Sequence, residues 1–157
     1  VPFPKPGQDP YQVVQLAELF RRHPGTTIVW AHCGLGRVVR PMKDQVAMIE
    51  RALSDPTLSN LYMDISWDEV AKYLLATPES LQRTADLINR HPERFLFGTD
   101  EVAPTDQAEY LKVYDLYAPL FAKLLPSTSA LLRKGNYERL FDEARRKVRA
   151  WEKANLN

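Results

Sequence analysis

Three stretches of this chain lead an apolar run to a side chain that can hold a metal or move a proton. Ile28-Val29-Trp30-Ala31 leads to His32, "LYMDIS" leads to Ser66, and "FLFGTD" leads to Asp100. Imidazole nitrogen and carboxylate oxygen are ordinary ligands for zinc or iron. The same two groups activate water by acid–base chemistry. His32 and Asp100 are therefore the candidate catalytic residues and the candidate metal ligands. Arg37 and Trp67 follow two of these ends and are candidate substrate-binding residues. The guanidinium of Arg37 can grip a substrate carboxylate bidentately, and the indole of Trp67 can wall a pocket. Each has a bland alternative: His32 as a satisfied strand-end residue, Asp100 as a loop cap, Arg37 as a surface cation and Trp67 as core.

Such side chains need elements to position them, and the pattern alternates helix and strand. Asp9 caps a first helix with Pro10 in its first turn. Val13, Leu16, Leu19 and Phe20 form its apolar stripe, and Pro24-Gly25 end it. Residues 27–31 follow as a strand whose continuous apolar run predicts burial on both faces. A helix over 42–53, a strand at "LYMDISW" and a short helix over 67–75 come next. Thr77-Pro78 start a helix carrying Leu81, Ala85 and Ile88, and "FLFGTD" is the third strand. A long helix over 107–125 is predicted to bend or break at Pro119. A short one over 127–134 stops at Gly135, and Asn136 caps the last. Strands separated by helices pair in parallel through crossovers, so the fold class is α/β. In such folds ligands gather at the carboxyl ends of the strands, where His32, Ser66 and Asp100 stand. His23 and His91 each sit in an Arg-His-Pro segment before a strand, at the opposite end, and read as structural.

Composition narrows the function classes. A length of 157 residues, 45% apolar and 26% charged, fits one soluble globular domain. A formal net charge of +1 gives no general attraction to nucleic acid or to an acidic membrane surface. No apolar run nears the ~20 residues of a membrane span. Cys33 is the single cysteine, which excludes an intrachain disulfide and a Cys-rich zinc site and favours a reducing, cytoplasmic compartment. As a nucleophile Cys33 is poorly placed, because neighbours in a strand point to opposite faces. "GLGRVV" imitates a dinucleotide fingerprint with Gly34 and Gly36 but has Val39 in the third glycine position. "RLFDEARRKVRAWE" mixes charge signs and reads as a solvated helix face. The start, "VPFPKPGQDP", has four prolines in ten residues and no Met, and reads as a loop entered midway along a longer polypeptide.

Together, "TTIVWAHCGLGR", "NLYMDISW", "RFLFGTDEVAP" and "LLRKGNYERLFDEAR" resemble the C-terminal part of the amidohydrolase-related metal-dependent hydrolases. These are (β/α)8 TIM barrels of the amidohydrolase superfamily, in a branch that includes decarboxylases and lactonases. The resemblance implies that His32 ends the sixth strand and faces metal-bound water or substrate. It implies that Asp100 ends the eighth, binds the metal and handles a proton of the water. Residues 61–66 would be the seventh strand, and Gly135 onward the closing helices. A divalent metal, zinc foremost, is implied as cofactor, with a small-molecule substrate hydrolysed at a C–N or C–O bond or decarboxylated.

The departures are equally specific. The family's His-x-His pair of the first strand is absent, as is the histidine of the fifth. A full barrel takes ~250 residues and eight strands, against three strands here. Residues 1–157 are therefore expected to be one partial barrel domain, starting just after the fifth strand. Open sheet edges predict a chain that by itself is marginally stable, dimeric or aggregation-prone, with a homo-oligomer as one expected form. The alternative from another class is a non-catalytic α/β binding or interaction module lacking a complete metal site. A dinucleotide-binding domain comes third.

Overall fold

The computed structural model describes residues 11–36 and 44–156. Their order is α1 (Tyr11–Arg22), β1 (Ile28–Trp30), α2 (Gln45–Ser54), β2 (Leu61–Asp64), α3 (Asp68–Leu74), α4 (Pro78–Arg90), β3 (Phe95–Leu96), α5 (Gln107–Phe121), α6 (Pro126–Ala130) and α7 (Glu143–Asn155). The three strands form one parallel sheet in the order β1-β2-β3. Trp30 pairs with Met63, Met63 with Phe95, and Asp64 with Leu96. The expected α/β class is what the structure has, and three sequential parallel strands fit successive strands of a TIM barrel. Among the described residues no helix is long and apolar enough to cross a membrane.

The core lies where the central strand meets the helices. Leu61, Met63 and Ile65 are fully buried, and Phe95 is nearly so. Met48 and Ile49 of α2 and Leu87 and Ile88 of α4 pack into the same cluster. Burying each such side chain is worth about 1.5–3 kcal/mol. The edge strand departs from expectation. Val29 is 38% exposed and its two strand neighbours are half-buried. Continuous apolarity foretold cover on both faces, but the face that Val29 presents is open, and among the described residues β1 has a strand beside it on one side only. Leu19 of the α1 stripe is likewise exposed, while Val13 and Phe20 are buried.

Local chemistry sets most helix boundaries. The Asp44 side chain caps α2 by accepting from the Ala47 N–H at 2.9 Å. Thr77 and Ser80 form a reciprocal capping box at the start of α4, with Pro78 in its first turn. α5 carries Pro119 inside it and runs on to Phe121, with the Ala122 N–H still donating to the Ala118 carbonyl at 3.0 Å.

One boundary is corrected. Gly135 stops nothing. Backbone angles stay right-handed from α6 through π-helical turns at Leu131–Gly135 and Glu138–Asp142 into α7. Glycine ends a helix by turning left-handed, and Gly135 does not do so. Asn136 is accordingly not a cap. Fully buried, its Nδ2 donates to the carbonyls of Pro92 and Phe95, both at 2.8 Å, tying the C-terminal helix to the entry of β3.

Candidate active site

The carboxyl ends of the strands concentrate backbone strain. After Trp30 the chain turns through three successive left-handed residues: His32 (φ 55°), Cys33 (φ 51°) and Gly34 (φ 75°). Trp67 (φ 83°) follows β2, while Asp100 (φ 51°) and Ala103 (φ 53°) follow β3. These are all the non-glycine residues with positive φ among the described residues, and every one lies past the carboxyl end of a strand. Each costs on the order of 1–3 kcal/mol and persists only where surrounding bonds dictate it.

Those bonds can be named. Buried Gln45 donates from Nε2 to the Cys33 carbonyl at 2.8 Å. The Cys33 thiol donates to the Asp64 carbonyl at 3.5 Å. Around Trp67, its N–H donates to the Thr99 carbonyl at 3.2 Å, and the Tyr117 hydroxyl donates to its carbonyl at 2.9 Å. Cys33 is thus an anchor. Burial first, and the charge of Asp64 second, push its thiol pKa well above the ordinary value, so it is not a poised nucleophile. Burial likewise raises the pKa of the Tyr117 phenol, with Cys33 and Asp64 adding to it.

His32 is held between two carboxylates. Its Nδ1 lies 3.2 Å from Ser66 Oγ and 4.0 Å from Asp64 Oδ2. Its Nε2 lies 3.7 Å from Asp100 Oδ2. Asp64 accepts at Oδ1 from the Ser66 N–H (2.9 Å) and at Oδ2 from the Ser66 hydroxyl (2.6 Å). Oδ2 also receives the His32 N–H at 3.5 Å. The Trp67 indole meets the imidazole edge-on, with ring centroids 5.2 Å apart. The Asp100 side chain is 42% exposed, against 26% for His32 and 19% for Asp64. The site therefore opens toward Asp100 and closes toward Asp64.

The structure thus brings His32, Ser66, Trp67 and Asp100 together, while Arg37 and Val39 lie outside the described residues. His23 and His91 stand before β1 and β3, away from this mouth. Burial, with the charges of Arg90 and Arg94, lowers the pKa of His91. Sequence reasoning missed Asp64, weighed only as a ribose-binding acid, and the supporting pair Gln45 and Tyr117. The Asp-Ile-Ser spacing was the available signal for the first, because aspartate accepts hydrogen bonds from a residue two places on.

The amidohydrolase family model matches residues 2–142. The chain belongs to the amidohydrolase family. No curated protein and no solved structure matches it. For an amidohydrolase, a hydrolase-type function is the general reading, and members of the superfamily generally use divalent metals.

The donors at these strand ends fit such an ion in part. Two ligands each about 2.0–2.2 Å from one zinc lie at most roughly 4 Å apart, and the 3.7 Å between His32 Nε2 and Asp100 Oδ2 falls within that span. Asp64 does not join them, since it faces the opposite ring nitrogen and its oxygens are engaged by Ser66. Among the described residues no group of three His, Cys, Asp or Glu side chains converges on an ion site.

Proposed function

We propose that this chain carries the His32–Asp100 side of a metal-dependent hydrolase site, acting on a C–N or C–O bond of a small-molecule substrate or on a related decarboxylation. The observation that carries the reading is the gathering, among the described residues, of every left-handed non-glycine residue past the strand ends that present His32 and Asp100. Backbone strain of this kind clusters at working sites. A bound divalent metal, zinc being the first choice for imidazole and carboxylate donors, supplies a water of pKa near ~7 and a polarised carbonyl. His32 Nε2 and Asp100 Oδ2 are the atoms that would hold it. Asp100, the more exposed, takes a proton from the attacking water at its carboxylate and returns it to the leaving nitrogen or oxygen. With its Nε2 not taken up by the metal, His32 would instead accept a proton or stabilise negative charge on the substrate. Trp67 packs on the imidazole and shields it from bulk water.

The test is Asp100→Asn in the protein carrying this chain, assayed on a panel of amides, lactones and carboxylates, with metal content by elemental analysis. Turnover should fall by about 10²–10⁴-fold, the range of one lost acid–base group, with loss of bound metal. Near-normal turnover and unchanged metal would sink the assignment and favour a non-catalytic interaction module.

A further inference from the structure

We infer that Asp64 and Ser66 form a hydrogen-bonded pair that fixes His32 in the Nδ1–H tautomer, leaving a lone pair on Nε2 to face the mouth. The inference rests on the strand-end site proposed above and decides between the two roles left open for His32.

The assignment follows from counting protons. Both Asp64 oxygens are acceptors: Oδ1 takes the Ser66 backbone N–H, and Oδ2 takes the Ser66 hydroxyl and the His32 backbone N–H. A serine hydroxyl has one proton and two lone pairs. The 2.6 Å contact to Oδ2 claims that proton, as a charge-assisted bond of that length does. Toward His32, 3.2 Å away, Ser66 Oγ can then only accept. Nδ1 must therefore be the donor, and in a neutral imidazole Nε2 is bare.

Asp100 pulls the other way, since a carboxylate beside Nε2 favours a proton there. At 3.7 Å it is beyond hydrogen-bond distance, and it is the more exposed of the two acids. Asp64 is the more buried, and its charge reaches His32 through a continuous hydrogen-bonded path. The Asp64 side wins. The edge-on contact with Trp67 limits ring rotation that would exchange the nitrogens.

The consequence is functional. A bare Nε2 can accept a proton or ligate a cation, but it cannot donate to an oxyanion. Asp64 and Ser66 are positioning residues that act through His32 and touch no substrate.

The test reads the tautomer directly, without substrate or metal. Long-range 1H–15N correlation of the labelled chain resolves three imidazoles, those of His23, His32 and His91, and His32→Asn assigns the relevant one. In the neutral form, reached by raising pH until the pattern stops moving, His32 should show Nδ1–H. Asp64→Asn is the sharp variant. Its amide oxygen must stay at the Oδ1 position to receive the Ser66 N–H, which turns the NH2 toward Ser66 Oγ. The hydroxyl proton then points to His32 Nδ1, and the tautomer should switch to Nε2–H. Ser66→Ala should lose the preference for Nδ1–H, with the His23 and His91 patterns unchanged as evidence that the fold is kept. Nε2–H in the wild type, or Nδ1–H persisting in Asp64→Asn, would overturn the inference. Failure of the hydrolase reading shows in turnover alone and leaves this spectrum as it is.

Discussion

Replacing Asn136 with alanine should cost about 2–3 kcal/mol of folding free energy, although the residue lies far from the strand-end chemistry. Its Nδ2 serves two carbonyls at once, those of Pro92 and Phe95, each at 2.8 Å. The Phe95 carbonyl is buried, and losing its partner costs about 1–3 kcal/mol. The Pro92 carbonyl is only partly buried and can take up water, so its loss is about 0.5–1.5 kcal/mol. One offset reduces the sum. Asn136 Oδ1 is itself buried without a hydrogen-bond partner among the described residues, and alanine removes that standing cost. Against a typical stability of about 5–15 kcal/mol, the remainder is a large share. Urea unfolding followed by tryptophan fluorescence measures it, with an unchanged slope showing that only stability moved. Asn136→Asp is the control, because it sets a carboxylate against two carbonyls and should be worse than alanine. A loss below about 1 kcal/mol for alanine, or an aspartate variant as mild as alanine, would refute the idea that this side chain locks the C-terminal helix to β3.

Other perturbations follow from the same geometry. Gly34→Ala would place a Cβ 2.7 Å from Trp30 Cζ2 in a residue with φ of 75°, so contact and left-handed strain together should cost about 2–4 kcal/mol. A melting temperature equal to wild type would argue against that turn. At the other end of the sheet, Arg21 bonds Asp55 at 2.6 Å and, with Thr57, lowers the Asp55 pKa to about 2. A depressed carboxyl pKa gives stability that is present above the unfolded value of roughly 4 and lost as pH falls toward about 2. Both side chains are partly exposed, so the pair is worth about 1 kcal/mol or less. Arg21→Gln should therefore be less stable than wild type near neutral pH and indistinguishable below about pH 2. A gap that stays constant across acid titration would remove Asp55 from the account.

The sequence by itself determined the parallel α/β class, the three strands, the Thr77 start of α4, and the presence of His32 and Asp100 at strand ends. These features are local. Apolar periodicity, capping residues and prolines act within a few residues of themselves, so they can be read along the chain. Tertiary structure alone decided the rest. Asp64 became the partner of His32 because the parallel register and a left-handed turn carry groups 32 residues apart into contact. Gly135 and Asn136 spell a helix stop and a cap. The helix runs through them because the carbonyls of Pro92 and Phe95 need a buried donor, and only the assembled fold places them there. The apolar run of β1 promised two covered faces, but cover depends on what lies beside a strand. That is a property of the neighbours, which the run does not encode.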